Sequence, residues 1–173
     1  AYLVASPEGF ESYKKAINLA KVHDTKVAIS LSDPFIVNTF KKELKELIEI
    51  KCDFIFCNED EAAEFAESRE EDEIFTCFKN YTSNLLVTSG PKGCKGYDED
   101  GTINIPGLEV NAIDTNGAGD MFAGAVLYGL NESKSLSASA NFGCFAASKI
   151  VQSSGPRLTK DEYLKIKETF SSY

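Results

Sequence analysis

The stretch "IDTNGAGDMFAGAVLYGL", Ile113 to Leu130, places two glycines and a carboxylate at the start of an apolar segment. Gly117 and Gly119 leave the backbone free to turn and its N–H groups open to approach. Residues 121–130 are helical in type and mostly apolar, which indicates burial against a sheet. The N-terminal end of such a helix attracts anions through its unpaired N–H groups and its dipole. The stretch therefore predicts an anion site with an acid, Asp120, beside it.

Two other interpretations compete with the anion site. An acid in the first turn favours a helix by itself, which explains Asp120 but leaves Gly117 and Gly119 unexplained. A dinucleotide-binding fingerprint, Gly-x-Gly-x-x-Gly, indicates a nicotinamide-dependent enzyme, but the third glycine, Gly124, comes two places late. The stretch also lies far from any first strand–helix–strand unit. We therefore favour the anion site.

The composition excludes several classes of protein. A chain of 173 residues with 43% apolar side chains fits one globular domain, residues 1–173. A net charge of −9 without any basic run argues against nucleic acid as a partner. No apolar run approaches the roughly 20 residues of a membrane span, and the first residues do not resemble a signal peptide. Five irregularly spaced cysteines and one histidine indicate reduced thiols in a cytoplasmic protein rather than disulfides or zinc.

Strand-like and helix-like segments alternate along the chain, which predicts an α/β fold with a parallel sheet covered by helices on both faces. Residues 1–10 resemble the end of a strand and its loop. Residues 92–108 are predicted to form a hairpin with "DEDG" as its turn. The remaining predicted strands cover 26–32, 52–58 and 84–90, and the predicted helices cover 8–24, 36–51, 59–70, 74–81, 121–130, 135–150 and 159–170.

Three predicted loops follow strands, and ligands of parallel sheets collect at the carboxyl ends of strands. The first loop, 57–61, has Asn58 and Glu61 at capping-box spacing, and the same pair could order water around Mg²⁺. Both roles can hold together. The second loop, 88–93, is an ordinary Gly-Pro turn or, through Thr88 and Gly90, a site for phosphate or ribose; it lacks the Gly-Lys-Ser/Thr of a Walker loop. The third loop is 114–120.

These segments together resemble a known family. "DTNGAGDMFAGAVLYG" is similar to the C-terminal signature of the ribokinase-like family of carbohydrate and purine kinases. "SLSDPFIVNTF" and "DFIFCNEDEAAEFA" resemble its adenosine kinase branch, and the second contains the family's Asn-x-x-Glu motif. "VTSGPKG" is similar to the family's nucleotide loop. The resemblance covers nearly the whole chain in the expected order and implies a ribokinase-like three-layer α/β/α fold.

The resemblance implies an ATP-dependent kinase that phosphorylates a hydroxyl of a sugar or nucleoside. It implies that Asp120 is the general base, and that the backbone N–H groups of Gly117, Ala118, Gly119 and Asp120 form an anion hole. Glu61, with Asn58, would order the hydration shell of Mg²⁺. The nucleotide would lie along Thr88, Gly90, Gly93 and the helix around Cys144, where many relatives have Asn or His.

The resemblance also implies a possible K⁺ site, and a homodimer is compatible with it. The residues that match the monovalent-cation region are Asp114, Asn116, Ser153 and Gly155, although residues 153–155 are equally well explained as an ordinary turn. Family members are about twice as long, so we expect this chain to be a C-terminal portion without the N-terminal half and its lid. The alternative function is a catalytically inactive nucleotide-binding or regulatory module, and the isolated portion is itself expected to be inactive.

Overall fold

The computed structural model describes residues 2–172 and contains a five-stranded sheet. Its strands, in the order in which they lie side by side, are β1 (Ala28–Ser30), β2 (Phe54–Asn58), β3 (Leu85–Thr88), β4 (Gly93–Asp98) and β5 (Gly101–Pro106). β1 and β2 run parallel, with Ile29 opposite Ile55. β4 and β5 are joined by two residues, a connection that only antiparallel strands allow. The α/β fold predicted from the alternating pattern is confirmed.

The predicted "DEDG" turn closes the β4–β5 hairpin. The Asp98 carboxylate accepts hydrogen bonds from the N–H groups of Asp100 and Gly101 at 2.9 and 3.2 Å. An aspartate that bonds to the backbone two and three residues ahead is a common way to fix a turn. The hairpin was therefore predictable from turn chemistry alone.

The chain divides into two compact units. The first consists of Ala1–Val87 and Gly96–Thr102. Its core is built from buried aliphatic and aromatic side chains, including Phe65 and Phe78, whose rings stack with centroids 4.7 Å apart. Its helices are α1 (Pro7–Val22), α2 (Pro34–Thr39), α3 (Lys41–Ile50), α4 (Glu59–Ala66) and α5 (Glu71–Phe78).

The second unit consists of Thr88–Lys95 and Ile103–Tyr173. It contains the helices α6 (Ala118–Asn131), α7 (Leu136–Ile150) and α8 (Lys160–Glu168). Phe170 packs edge-on against Tyr128 and Phe142, with ring centroids 4.9 Å apart in both pairs. None of the helices within residues 2–172 is long and apolar enough to cross a membrane.

The prediction of a strand end at the N-terminus was wrong. Tyr2–Ala5 form a 3-10 helix that leads directly into α1. The hydroxyl of Ser6 accepts a hydrogen bond from the Gly9 N–H at 3.0 Å, and Pro7 takes the first helical position. Ser followed by Pro is a strong helix start, and the preceding residues turn into it.

The single helix predicted over 36–51 is two helices. α2 begins after Asp33, whose carboxylate accepts from the Phe35 N–H at 2.7 Å, and it ends before Phe40. Phe40 leaves the helical region, with φ −120° and ψ 30°, and α3 begins after it. The helical spacing of apolar residues continues across this break, because the Phe40 side chain fits the pattern although the Phe40 backbone is not helical.

Small residues allow α6 and α7 to pack closely. A Cβ built on Gly143 would lie 2.8 Å from Val126 Cγ2, and one on Gly129 would lie 2.6 Å from Ser139 Oγ. Ser139 is completely buried, and its hydroxyl has no hydrogen-bond partner within the part of the chain that the structure describes. A buried hydroxyl without a partner destabilises a fold.

We expect Ser139→Ala to stabilise the protein by about 1 kcal/mol, because it removes the unpaired hydroxyl and keeps the volume small. Ser148 is the matched control on the same helix: it is also buried, but its hydroxyl donates to the Phe145 carbonyl at 2.7 Å. Ser148→Ala should therefore cost about 1 kcal/mol. Urea denaturation measures both, and equal losses in the two variants would contradict the prediction.

Candidate functional site

Gly117 is the N-cap residue of α6. This residue caps the helix in the left-handed conformation, with φ 78°. A Cβ built on it would lie 2.9 Å from the carbonyl oxygen of Pro156 and 3.0 Å from its Cα. Both the positive φ and the close backbone require glycine. The turn before α6 is therefore fixed against the segment that contains Pro156.

The start of α6 has both bonded and open backbone N–H groups. The Met121 N–H donates to the Gly117 carbonyl at 2.9 Å, and the Ala118 N–H donates to the Thr115 carbonyl at 3.2 Å. Within residues 2–172 no acceptor lies on the N–H groups of Gly119 and Asp120. A Cβ on Gly119 would meet nothing within 4 Å. Of the four N–H groups predicted to form the anion hole, that of Ala118 already has an acceptor in the protein.

Asp120 lies in the first turn of α6, where its side chain is exposed. It lines a cavity of about 380 Å³ in the second unit, together with Gly117 and side chains of α6, α7 and α8. Open N–H donors and an exposed carboxylate therefore share one helix end. This arrangement can hold an anion and accept a proton beside it.

Asp114 ties the turn before α6 to the turn after α7. Its carboxylate accepts hydrogen bonds from the Asn116 N–H at 3.0 Å and the Gly155 N–H at 2.9 Å. These two donors, Asn116 first, lower the pKa of Asp114. The Val151 carbonyl accepts from the N–H groups of Ile113 and Asp114 in addition. Three of the four predicted cation-site positions are therefore in direct contact, because Asp114 bonds to both Asn116 and Gly155.

The predicted nucleotide loop is a tight turn in the second unit. Gly90–Lys92 form a single 3-10 turn. The Ser89 N–H donates to the Gly93 carbonyl at 2.8 Å, and the Lys92 N–H donates to the Ser89 carbonyl at 3.1 Å. Gly90 is exposed, and no atom lies within 4 Å of the place where its Cβ would be. The loop therefore presents bare backbone to whatever lies over it.

Asn58 and Glu61 form the predicted capping box at the start of α4, in the first unit. The Glu61 N–H donates to the Asn58 side chain at 2.9 Å, and the Glu61 carboxylate accepts from the Asn58 N–H at 3.1 Å and its amide at 2.7 Å. Glu61 is only 5% exposed. Burial raises the pKa of Glu61, although the Asn58 N–H opposes this shift.

In a second capping box, at the start of α8, the pKa of the glutamate is shifted in the opposite direction. The Glu162 carboxylate accepts from the Thr159 hydroxyl at 2.6 Å and from the Thr159 N–H at 2.8 Å. These bonds lower the pKa of the exposed Glu162. The two glutamates share a motif and differ in burial, so they form a matched pair for experiments.

Glu61→Gln and Glu162→Gln should respond to pH in opposite directions. The pKa of Glu61 is raised in the folded state, so the fold loses stability as Glu61 ionises with rising pH; the pKa of Glu162 is lowered, so the fold gains stability. From about pH 3 to pH 7, the stability of Glu61→Gln relative to the wild type should therefore improve, and that of Glu162→Gln should worsen. Urea denaturation across this range measures both. A change in the same direction for both variants would overturn the assignment.

Comparison with known proteins identifies the family. Residues 5–162 match the family model described as pfkB family carbohydrate kinase. The chain belongs to the pfkB family. Over 170 residues it is 29% identical to adenosine kinase 2 of Arabidopsis thaliana, a match that covers 89% of this chain and 48% of that protein. Over 103 residues it is 35% identical to the ribokinase of Lactococcus lactis subsp. lactis, covering 60% of this chain and 33% of that protein.

A solved structure of the same family has the same fold. The adenosine kinase from Sinorhizobium meliloti superposes with a TM-score of 0.90 at 25% identity, over 97% of this chain and 52% of that chain. The chain thus spans about half the length of the adenosine kinases that it matches. The recognition of a ribokinase-like family from sequence motifs is confirmed.

Most of the predicted pfkB site residues lie in the second unit. It contains the nucleotide loop, the start of α6, the Asp114–Gly155 contact and Cys144, whereas Asn58 and Glu61 belong to the first unit. The meeting of all three loops at one edge stays a prediction. Sequence reasoning missed Pro156, which sits against Gly117, although the "SSGP" break marked its position.

Cys144, in the middle of α7, is half-buried, and the neighbouring thiol of Cys94 on β4 lowers the pKa of Cys144. Sequence reasoning missed Cys94 as a neighbour of this position. It directly follows Gly93 of the nucleotide loop, but nothing in the spacing of the cysteines links it to α7. The pair therefore had no signal in the sequence.

Proposed function

We propose that this chain is the nucleotide-binding and catalytic part of an ATP-dependent kinase that phosphorylates a hydroxyl of a sugar or nucleoside. The observation that carries the proposal is the start of α6, where the open N–H groups of Gly119 and Asp120 lie beside the exposed Asp120 carboxylate. A phosphoryl-transfer site needs positioning and charge stabilisation more than covalent chemistry. This helix end supplies donors for the charge and an acceptor for the proton.

In the proposed reaction, Asp120 accepts the proton of the substrate hydroxyl as its oxygen attacks the γ-phosphorus of ATP. The new oxygen–phosphorus bond forms while the bond from phosphorus to the bridging oxygen breaks, and ADP leaves. The N–H groups of Gly119 and Asp120 donate to the oxygens of the transferring group, and Gly117 holds them in place. A general base contributes about 10²–10⁴ in rate, and one preorganised donor about 10²–10³.

The remaining site residues fit ATP and Mg²⁺ as follows. The backbone of Gly90 and Gly93 and the hydroxyl of Thr88 contact the nucleotide. The part of α7 around Cys144 lies beside the adenine base of the nucleotide. Both oxygens of the Glu61 carboxylate already accept from Asn58, so this pair suits Mg²⁺ through its water shell rather than by direct ligation. When bound, Mg²⁺ neutralises phosphate charge. In this proposal, K⁺ binds to oxygen atoms in the region of Asp114, Asn116, Ser153 and Gly155.

Glu61→Gln should raise the Mg²⁺ concentration for half-maximal activity several-fold, because it removes a negative charge that orders the hydrated ion. Glu162→Gln is the control: it changes the same type of capping box on α8, at a position that is not among the proposed site residues. Its Mg²⁺ dependence should match that of the wild type. Initial rates over a Mg²⁺ titration measure the effect, and an unchanged requirement in Glu61→Gln would remove it from the metal site.

The acceptor is a sugar or a nucleoside, since relatives are named adenosine kinase and ribokinase. The test is phosphoryl transfer from ATP to a panel of nucleosides and sugars, with the complete gene product because the relatives are longer. A phosphorylated product from one class identifies the acceptor. ATP binding by calorimetry without transfer to any acceptor would instead support the alternative, an inactive nucleotide-binding or regulatory module.

A further inference from the structure

Asparagine and glycine are adjacent in the exposed turn before α6. Asn116 is exposed, lies outside helices and strands, and is followed by Gly117. At such a pair the glycine nitrogen can attack the asparagine side chain, because glycine has no side chain that hinders the approach. Every other asparagine of the chain is followed by a residue with a side chain. This turn is therefore the place in the chain where an asparagine is most open to deamidation.

The Gly117 nitrogen is free to attack. Within residues 2–172 its N–H has no acceptor, whereas the N–H groups of Asn116 and Ala118 donate to Asp114 and Thr115 at 3.0 and 3.2 Å. Gly117 is also the N-cap of α6, and a helix N-terminus favours negative charge. Both features favour loss of the Gly117 amide proton, which is the step that makes its nitrogen a nucleophile.

We propose that Asn116 deamidates spontaneously, so that Asn116–Gly117 is a site of isoaspartate formation in this protein. Three observations carry the inference: the exposure of Asn116, the glycine that follows it, and the open N–H of that glycine. The modification needs no second protein, because water is the only co-reactant.

The chemistry runs in two balanced steps. The Gly117 nitrogen loses its proton and attacks the side-chain carbonyl carbon of Asn116. A carbon–nitrogen bond forms to close a five-membered succinimide, the bond to the side-chain nitrogen breaks, and ammonia leaves with the proton. Water then adds to one of the two ring carbonyls and opens the ring. Opening at the side-chain carbonyl gives aspartate, and opening at the main-chain carbonyl gives isoaspartate.

The turn is poorly able to absorb the change in its main chain. The Asp114 carboxylate holds the N–H groups of Asn116 and Gly155, and the backbone of Pro156 lies against Gly117. Isoaspartate lengthens the main chain by one carbon directly before the first N–H groups of α6. Both products also add a carboxylate beside those donors, where it repels an anion.

The test is peptide mapping of the complete gene product during incubation in warm, neutral buffer made with heavy-oxygen water. The label enters only carboxylates that form during the incubation, so deamidation during digestion is not counted. We expect label at Asn116, located by fragmentation of its peptide, and isoaspartate in the same peptide, detected by enzymatic methylation. Asn111 is the internal control: it is exposed outside helices and strands but precedes Ala112, and it should react at least several-fold more slowly.

Two further samples make the result decisive. A synthetic peptide of residues 111–121, incubated in the same buffer, shows when the incubation is long enough. Ala112→Gly changes the residue after Asn111 and should let Asn111 deamidate as well. An Asn116 amide that is retained in the protein after the peptide has reacted, equal label at Asn111 and Asn116 in the wild type, or no gain at Asn111 in Ala112→Gly would each overturn the proposal.

A kinase assay on the incubated protein tests the consequence for activity, which rests on the proposed function. Turnover should fall in proportion to the isoaspartate content of the sample. The mass readout does not depend on activity, so the two failures are distinguishable. Isoaspartate at Asn116 with full turnover would support the modification site and contradict the role of this turn in positioning the phosphate donors.

Discussion

Asp120→Asn should lower turnover by about 10²-fold or more and leave the affinity for ATP within a few-fold of the wild type. Asparagine keeps the size and the hydrogen-bonding capacity of the side chain but cannot take up the substrate proton. The N–H groups of Gly119 and Asp120 stay in place, so the nucleotide phosphates lose no backbone donor. Steady-state kinetics and calorimetry with ATP separate the two effects.

Asp161→Asn is the control for Asp120→Asn. Asp161 is also an exposed acid in the first turn of a helix, α8, so both variants lose a favourable interaction with the helix dipole. Turnover in Asp161→Asn should match that of the wild type. Near-normal turnover in Asp120→Asn would rule out its role as the base. A large loss of ATP affinity with unchanged turnover would place Asp120 in nucleotide binding instead.

Gly117→Ala should destabilise the protein by about 1–3 kcal/mol and lower turnover by about 10²-fold. A Cβ at this position adds the strain of a left-handed alanine and lies 2.9 Å from the Pro156 carbonyl oxygen. The turn must shift to relieve the contact, and the first N–H groups of α6 shift with it. Because a donor is effective only at the correct distance, the loss of turnover should exceed the loss expected from unfolding alone.

Gly101→Ala is the control that separates the effect of backbone strain from the effect of a displaced turn. Gly101 also has a positive φ, 134°, but no atom lies within 4 Å of its Cβ position, and it lies at the tip of the β4–β5 hairpin. This variant should lose stability and keep turnover per folded molecule. If Gly117→Ala behaves in the same way, the turn before α6 has no role in positioning the donors.

Local chemistry explains what the sequence could predict. The capping box at Asn58 and Glu61, the hairpin turn at Asp98 and the glycine at the start of α6 each depend on residues a few positions apart. Such signals are readable because the hydrogen bond and the spacing are the same in every protein. The family motifs, in addition to these local signals, predicted the overall fold.

Long-range contacts explain what the sequence could not predict. The effect of Cys94 on the pKa of Cys144, and the approach of Pro156 to Gly117, join residues that are far apart in the chain. The Ala118 N–H found an acceptor in Thr115, a detail of turn geometry that spacing does not contain. The break at Phe40 was hidden because apolar periodicity reports which side chains are buried and not the backbone angles between them.

The central claim is that one helix end supplies both the base and the phosphate donors. A crystal structure of the complete gene product with its acceptor and a non-hydrolysable ATP analogue tests it most directly. We expect an Asp120 oxygen within about 3.2 Å of the acceptor hydroxyl. The terminal phosphate should accept from the Gly119 and Asp120 N–H groups at about 2.7–3.1 Å. A terminal phosphate bound elsewhere, with the acceptor hydroxyl beyond hydrogen-bonding reach of Asp120, would contradict the account.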